Sequence, residues 1–373
     1  MTGAPSGTVN GTARAALPDV QEVLGWARSV TGPVLERAVA ELPEPVRTVA
    51  RYHFGWRDAR GNPAAGDWGK GVRGALVLAS AQALDPAAGP PLSAPAAYRA
   101  PGPQPVRAAA VVELVHNFSL LHDDFMDDDR LRRGRPTAWV VFGDAKAVLA
   151  GDALMALSMK LLTESEGPLP AGTDAVRELA DALLALVAGQ GEDLVFESRS
   201  DVREEDCLRM ADGKTASLLA AACALGAKAV GAAPEQVGAL RAFGRHIGLA
   251  FQLADDLLGV WGDSALSGKA AGGDLRRRKR SFPVVAAIRS GTTAGRRLAG
   301  LYRLAALAER PLTDREVVRA TALVEEAGGR ELTRREADRQ RARALDCLAT
   351  AVPDPGRSRV LAALAEMAVD RRV

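Results

Sequence analysis

Cysteine is scarce: three thiols in 373 residues, Cys207, Cys223 and Cys347, stand far apart, with no Cys-x-x-Cys pair and no Cys/His cluster. That spacing excludes a disulfide framework and a zinc centre, and the thiols read as small core hydrophobes in a reducing compartment. Aromatic residues make up only 4% of the chain. β-Branched residues are mostly single valines, and no alternating runs are joined by Asn-Gly turns, which excludes a sandwich or barrel. No uncharged apolar run reaches the ~18 residues needed to cross a bilayer, so no transmembrane segment is expected. The opening residues lack the compact apolar core of a secretory signal, and the expected location is the cytoplasm. Charge of one sign is lacking too: 48 Lys and Arg oppose 46 Asp and Glu, a formal net charge of +2. A partner bound through a basic excess, such as nucleic acid, is therefore not expected. There is no internal repeat, which excludes a solenoid.

What the chain does have is Ala, Leu, Arg and Glu in long segments, the residues that form helices most readily. The spacing of breaks predicts helices over 20–40, 43–53, 70–84, 106–128, 143–163, 174–198, 202–211, 213–230, 234–262, 282–289, 294–308, 313–327, 331–351 and 356–371. The fold class is all-α. Residues 1–20, rich in Gly, Thr, Ala and Pro, read as a disordered tail, and 21–373 as one domain. The proline-rich stretch 85–105 reads as a surface loop.

Two acidic segments carry chemistry. In ELVHNFSLLHDDFMDDDRLRRGRPT, residues 113–137, one helix would bring His116, Leu120, Asp123 and Asp127 within an arc of about 60°. Two carboxylates one turn apart suit Mg²⁺, which takes one or two protein carboxylates and completes its octahedron with water and phosphate oxygens. Arg132, Arg133 and Arg135 follow at once with guanidinium forks that match phosphate. Alone, such a cluster is equally a solvated helix end or a calcium loop. The second segment, FQLADDLLGVWGD at 251–263, places Asp255 and Asp256 on an apolar helix, with Gln252 one turn before Asp255. A buried carboxylate there needs a cation or a donor beside it.

These two segments resemble the aspartate-rich motifs of the trans-polyprenyl diphosphate synthases. Lys70 and Arg73 in GKGVRG resemble that family's GKxxRP, Gln190 and Asp193 in GQGEDL its GQxxDL, and Lys214 with Thr215 its KT pair. Lys269, Asp274 and Lys279 match its GKxxGxDxxxxK stretch, and the matches keep family order from about residue 50 to residue 290. The resemblance implies a single helical bundle around a deep central cavity, the isoprenoid synthase type I fold, usually as a homodimer. It implies condensation of isopentenyl diphosphate with an allylic diphosphate, using three Mg²⁺ ions when substrate is bound. By that resemblance Asp123, Asp127 and Asp255 are magnesium ligands, with Asp124 and Asp256 in the same metal set. Lys214, Lys269 and Arg132 would hold the allylic diphosphate, and Lys70, Arg73, His116 and Arg133 the isopentenyl diphosphate. Thr215 and Gln252 would lie beside the cation formed in the reaction, and Lys279 among the substrate-binding groups.

Each assignment has a plainer counterpart. Lys70, Arg73 and Lys279 would ordinarily be solvated charges, and the run Arg276, Arg277, Arg278, Lys279, Arg280 a phosphate-facing or solvated loop. His122 points away from the Asp123 face and reads as a satisfied helix histidine. Two positions depart from the family pattern: Gly259 stands where a third aspartate is common, and Gly74 where proline is usual. Product length depends on the pocket floor below Asp123, where Val115 and Ser119 are modest in size and Phe118 is bulky. An aromatic five positions before the motif resembles the short-chain pattern, so the expected product is geranylgeranyl diphosphate, C20. A longer product follows if Phe118 faces a neighbouring helix. The competing readings are a class I terpene cyclase, which would need a late Asn/Ser/Glu metal triad, and a non-catalytic partner subunit, which would lose one acidic motif.

Overall fold

The computed structural model describes residues 17–64, 66, 68–86, 101–164, 172–262 and 272–369. Helix α1 (Val20–Ala40) opens on Asp19, whose Oδ1 accepts from the Gln21 amide at 2.8 Å. The end of the expected tail is thus a helix cap, and residues 1–16 lie outside the described residues. Next come α2 (Val46–His53), α3 (Val72–Leu84) and α4 (Pro103–Met126). Pro103 and Pro105, expected in a loop, stand in the first turn of α4. Amides there have no intrahelical acceptor, so proline removes nothing the helix needs. Most of that expected loop lies outside the described residues.

The chain continues through α5 (Ala138–Phe142), α6 (Asp144–Thr163), α7 (Gly172–Phe196) and α8 (Glu204–Ala211). A π-helical turn, Asp212–Ala216, then leads into α9 (Ser217–Lys228) and the long α10 (Pro234–Trp261). The last part holds one short turn, α11 (Gly273–Arg276), and then α12 (Phe282–Arg289), α13 (Thr293–Leu307), α14 (Asp314–Glu326), α15 (Gly329–Ala351) and α16 (Pro355–Val369).

Helices that are apolar on every side belong inside a bundle. In α9 every residue from Leu218 to Gly226 is buried, and α3 is buried from Gly74 to Ala81. One core gathers Leu24, Leu76, Leu114, Leu154, Leu218, Phe243, Leu348 and Leu364, so the first helix and the last pack on the same centre. Cys207 and Cys223 are buried as expected, whereas Cys347 is half-buried. Strand is confined, among the described residues, to a small hairpin and one isolated bridge. Among those residues no helix is long and apolar enough to cross a membrane.

Candidate active site

The C-terminal half of α4 carries His116, Asp123 and Asp124, with Asp127 as its C-cap residue. The sequence had extended this helix to 128. Instead it ends at Met126, although the Asp127 amide still donates to the Asp123 carbonyl at 2.8 Å. A two-residue hairpin follows, β1 (Leu131–Arg132) and β2 (Arg135–Pro136), in which Arg132 pairs with Arg135. Its turn residues Arg133 and Gly134 both have positive φ, 52° and 72°. This is the geometry that reverses a tight hairpin without splaying its strands. The turn aims three guanidinium groups at a pocket of about 270 Å³ that Tyr52, His53 and Asp124 also line.

Lys214 and Thr215 sit on the π turn. Gly189, in the GQGED stretch of α7, lets that turn approach: a Cβ there would overlap the Lys214 amide. Lys214 Nζ thereby reaches Asp193 Oδ2 at 2.8 Å and Asp123 Oδ1 at 3.8 Å. Lys279 Nζ reaches the same Asp193 oxygen at 3.2 Å. Burial pushes the Asp193 carboxyl up, but the two ammonium groups outweigh it and hold the group below the usual carboxylate range. Burial likewise works against the Lys279 charge, and Asp193, Asp274, Asp256 and Asp127 together raise its pKa. Those four carboxylates come from both acidic segments, from α7 and from the short turn α11. The two aspartate-rich helices therefore converge on a pair of lysines.

Asp123 is pushed up chiefly by burial, with Lys214 opposing. A desolvated carboxylate of this kind gains from a cation, and the carboxylates of Asp123, Asp127 and Asp255 are hard-oxygen donors of the chemistry Mg²⁺ takes. Among the described residues no three Asp, Glu, His or Cys side chains close around one point. Two expected members of the metal set are otherwise engaged. Asp124 is buried, and its Oδ1 accepts from Arg132 Nε at 2.6 Å. Asp256 uses both oxygens, Oδ1 for Gln252 Nε2 at 2.9 Å and Oδ2 for the Phe282 amide at 3.0 Å. Burial raises Asp256 to about 7. Gln252 Oε1 in turn accepts from Thr215 Oγ1 at 2.5 Å, so the Thr215–Gln252–Asp256 chain fixes the π turn to α10.

Desolvation, with the charges of Arg73, Arg133 and Arg132, pushes His116 well below its ordinary range, leaving a neutral imidazole. Arg73 stands in the first turn of α3, and Lys70 is exposed just before it. Lys269 lies outside the described residues. In the basic run at 276–280, Arg276 and Arg277 reach solvent yet are paired, with Asp314 at 2.5 Å and Asp129 at 2.6 Å, and Arg280 stacks over Tyr302. His122 Nε2 lies 3.0 Å from the Val148 carbonyl on α6, a satisfied helix histidine as expected. Phe118 packs edge-on against that ring, 4.9 Å between centroids. It therefore faces α6, and Ser119 and Val115 are nearer than Phe118 to the face that bears Asp123.

Sequence reasoning quoted Asp193 and Asp274 only as parts of motifs and missed Glu113, which is 2% exposed and accepts from the Gly74 amide at 2.8 Å. The departure at Gly259 has a geometric cause: a Cβ there would overlap the carboxylate of Asp274.

The family model for polyprenyl synthetase matches residues 63–317. A geranylgeranyl diphosphate synthase of Mycobacterium tuberculosis is 45% identical over 345 residues, 92% of each chain. A (2E,6E)-farnesyl diphosphate synthase of the same organism is 42% identical over 351 residues, covering 94% of this chain and 93% of its own. The crystal structure of a polyprenyl synthetase from Streptomyces coelicolor superposes with a TM-score of 0.83 at 45% identity, covering 94% of this chain and all of that one. On its motifs, its fold and these likenesses, the chain belongs to the polyprenyl synthetase family, the trans-polyprenyl diphosphate synthases.

Proposed function

We propose that the protein is a cytoplasmic trans-prenyltransferase that joins isopentenyl diphosphate to an allylic diphosphate and yields geranylgeranyl diphosphate. With Phe118 turned to α6, the twenty-carbon length is supported by the likeness to the geranylgeranyl diphosphate synthase and not by that ring, and a longer chain is the alternative. The observation that carries the reading is the lysine pair: Lys214 and Lys279 share Asp193, at 2.8 and 3.2 Å, between the two acidic helices. Fixed ammonium groups and carboxylate-held magnesium, three ions with substrate bound, would neutralise the charge that grows on a departing pyrophosphate. Lys214, Lys279 and Arg132 hold the allylic diphosphate, joined by Lys269. Lys70, Arg73, His116 and Arg133 hold the isopentenyl diphosphate. The allylic C–O bond breaks, its electron pair leaves with pyrophosphate, and the double bond of isopentenyl diphosphate attacks the cation. A proton then leaves the new chain, with pyrophosphate as its acceptor. Thr215 and Gln252 face the cation with dipoles only. Their mutual hydrogen bond supports that role by fixing the two dipoles relative to each other and leaving the Thr215 oxygen lone pairs free to face positive charge. A homodimer is supported by the outward face of α7, where Leu184, Val187 and Val195 are exposed within an arc of about 80°.

The test is incubation with Mg²⁺, isopentenyl diphosphate and each of dimethylallyl, geranyl and farnesyl diphosphates, with products sized by mass spectrometry. A twenty-carbon alcohol after hydrolysis is expected. A fifteen-carbon end product would move the protein to the farnesyl class, and cyclic hydrocarbon made without isopentenyl diphosphate would replace the synthase with a cyclase. Because Phe118 faces α6, chain length should answer to Ser119, which is one turn before Asp123. Ser119→Phe is expected to shift the main product down by one or two five-carbon units, whereas Phe118→Ala leaves it nearly unchanged. Lengthening by Phe118→Ala instead would make that ring the floor.

A further inference from the structure

Glu113 is a buried carboxylate that the reaction does not use. It lies on α4, three positions before His116, and its Oε1 accepts from the Gly74 amide at 2.8 Å. The Arg73 amide also acts on this carboxylate. Both amides belong to the first turn of α3, whose N-cap residue is Gly71 at φ 67°, with no side-chain cap. First-turn amides have no intrahelical acceptor and carry the positive end of the helix dipole, so an anion is favoured there. Here the anion comes from a different helix.

The surrounding charges tie this cap to the phosphate-binding groups. Burial pushes Glu113 up, and against it stand the two amides and the guanidinium groups of Arg73 and Arg133. The same two arginines bear on His116. Gly74 is what permits the 2.8 Å bond, since the proline usual at this position has no N–H to donate. A buried carboxylate beside a diphosphate pocket would repel the ligand unless it were held to something. Its two amides and two guanidinium groups do that.

We propose that Glu113 is a positioning residue: it caps α3 from α4 and so fixes Arg73 against His116 and Arg133 in the isopentenyl diphosphate pocket. The inference rests on the pocket assignment given above. Glu113→Gln tests it, because the amide keeps the size and one acceptor oxygen but turns an NH₂ toward the second backbone amide. Hydrogen exchange at the Arg73 and Gly74 amides is expected to quicken about tenfold, and KM for isopentenyl diphosphate to rise by a similar factor, while KM for the allylic substrate stays within about twofold. In a double-mutant cycle, Glu113→Gln should add nothing to Arg73→Ala, since one acts through the other.

Unchanged exchange, an equal rise for both substrates, or additive effects would each overturn the proposal. If Arg73→Ala alone leaves KM for isopentenyl diphosphate unchanged while exchange in Glu113→Gln is faster, the pocket assignment falls and the cap stands. Should Glu113→Gln fail to fold, Gly74→Pro removes one donor and leaves the carboxylate; exchange at the Arg73 amide and KM for isopentenyl diphosphate are then expected to move in the same direction by less.

Discussion

Asp193→Asn will lower both stability and turnover. The carboxylate is 10% exposed and is shared by Lys214 and Lys279. Both ammonium groups meet the same oxygen, so an amide oxygen placed there can still accept from them, but it is neutral, and two positive charges lose their common counter-ion. Breaking a buried pair costs about 3–5 kcal/mol. The lysines keep 16% and 26% of their side-chain surface, so about 2–3 kcal/mol is the expected loss once solvent screening is counted. Turnover should drop about a hundredfold, the usual consequence of misplacing a charged group by an ångström or so. The sign with pH follows from the depressed pKa of Asp193. Its contribution is present above the ordinary carboxylate value and is lost as pH falls through the lowered folded value. Urea titrations of the two proteins should therefore differ most near neutrality and converge in acid. A variant as stable as the parent at pH 7 would remove Asp193 from the centre of the site.

The aspartates and lysines of this site were legible because each sits in a motif whose order along the chain is specific. Helix positions were legible for a different reason: long stretches of Ala, Leu, Arg and Glu between glycine or proline breaks leave the backbone few alternatives. What could not be read was which neighbour each carboxylate meets. Asp123 and Asp124 are adjacent in sequence but about 100° apart on α4, so one faces Lys214 and the other Arg132. Asp255 and Asp256 are likewise about 100° apart on α10, and the donors that engage Asp256 come partly from Phe282, 26 residues on. The hairpin at Arg132 and Arg135 is too short to show an alternating pattern, and its only local mark is the Arg133-Gly134 turn. The π turn at Asp212–Ala216 has no sequence mark at all. Gly189 on α7 and Gly248 on α10 press their backbones against it, which is a property of the packed bundle. Spacing from the motif fixes the helix face on which Phe118 stands but not the element packed against that face, which is α6 through His122.

The position that departs from the family's second motif gives the sharpest contrast between pattern and structure. By pattern, Gly259→Asp should complete a third carboxylate and improve metal binding. By geometry it should do harm, because the space a side chain would enter at 259 is filled by the Asp274 carboxylate. Asp274 is itself buried, lies 3.7 Å from Arg277 and contributes to the charge that surrounds Lys279. A new side chain there must push Asp274 aside and place a second negative charge against it, and overpacking of this kind costs about 1–3 kcal/mol. Gly259→Asp is therefore expected to melt below the parent and to lose most of its turnover as Lys279 shifts. The exchange of roles supplies the control: Gly259→Asp combined with Asp274→Gly returns a single carboxylate to the same space. That double variant should regain at least half of the lost stability, a non-additive result that residues without contact would not give. Equal stability of Gly259→Asp and parent, or a double variant no better than the single, would show that Asp274 does not hold the place of the missing aspartate.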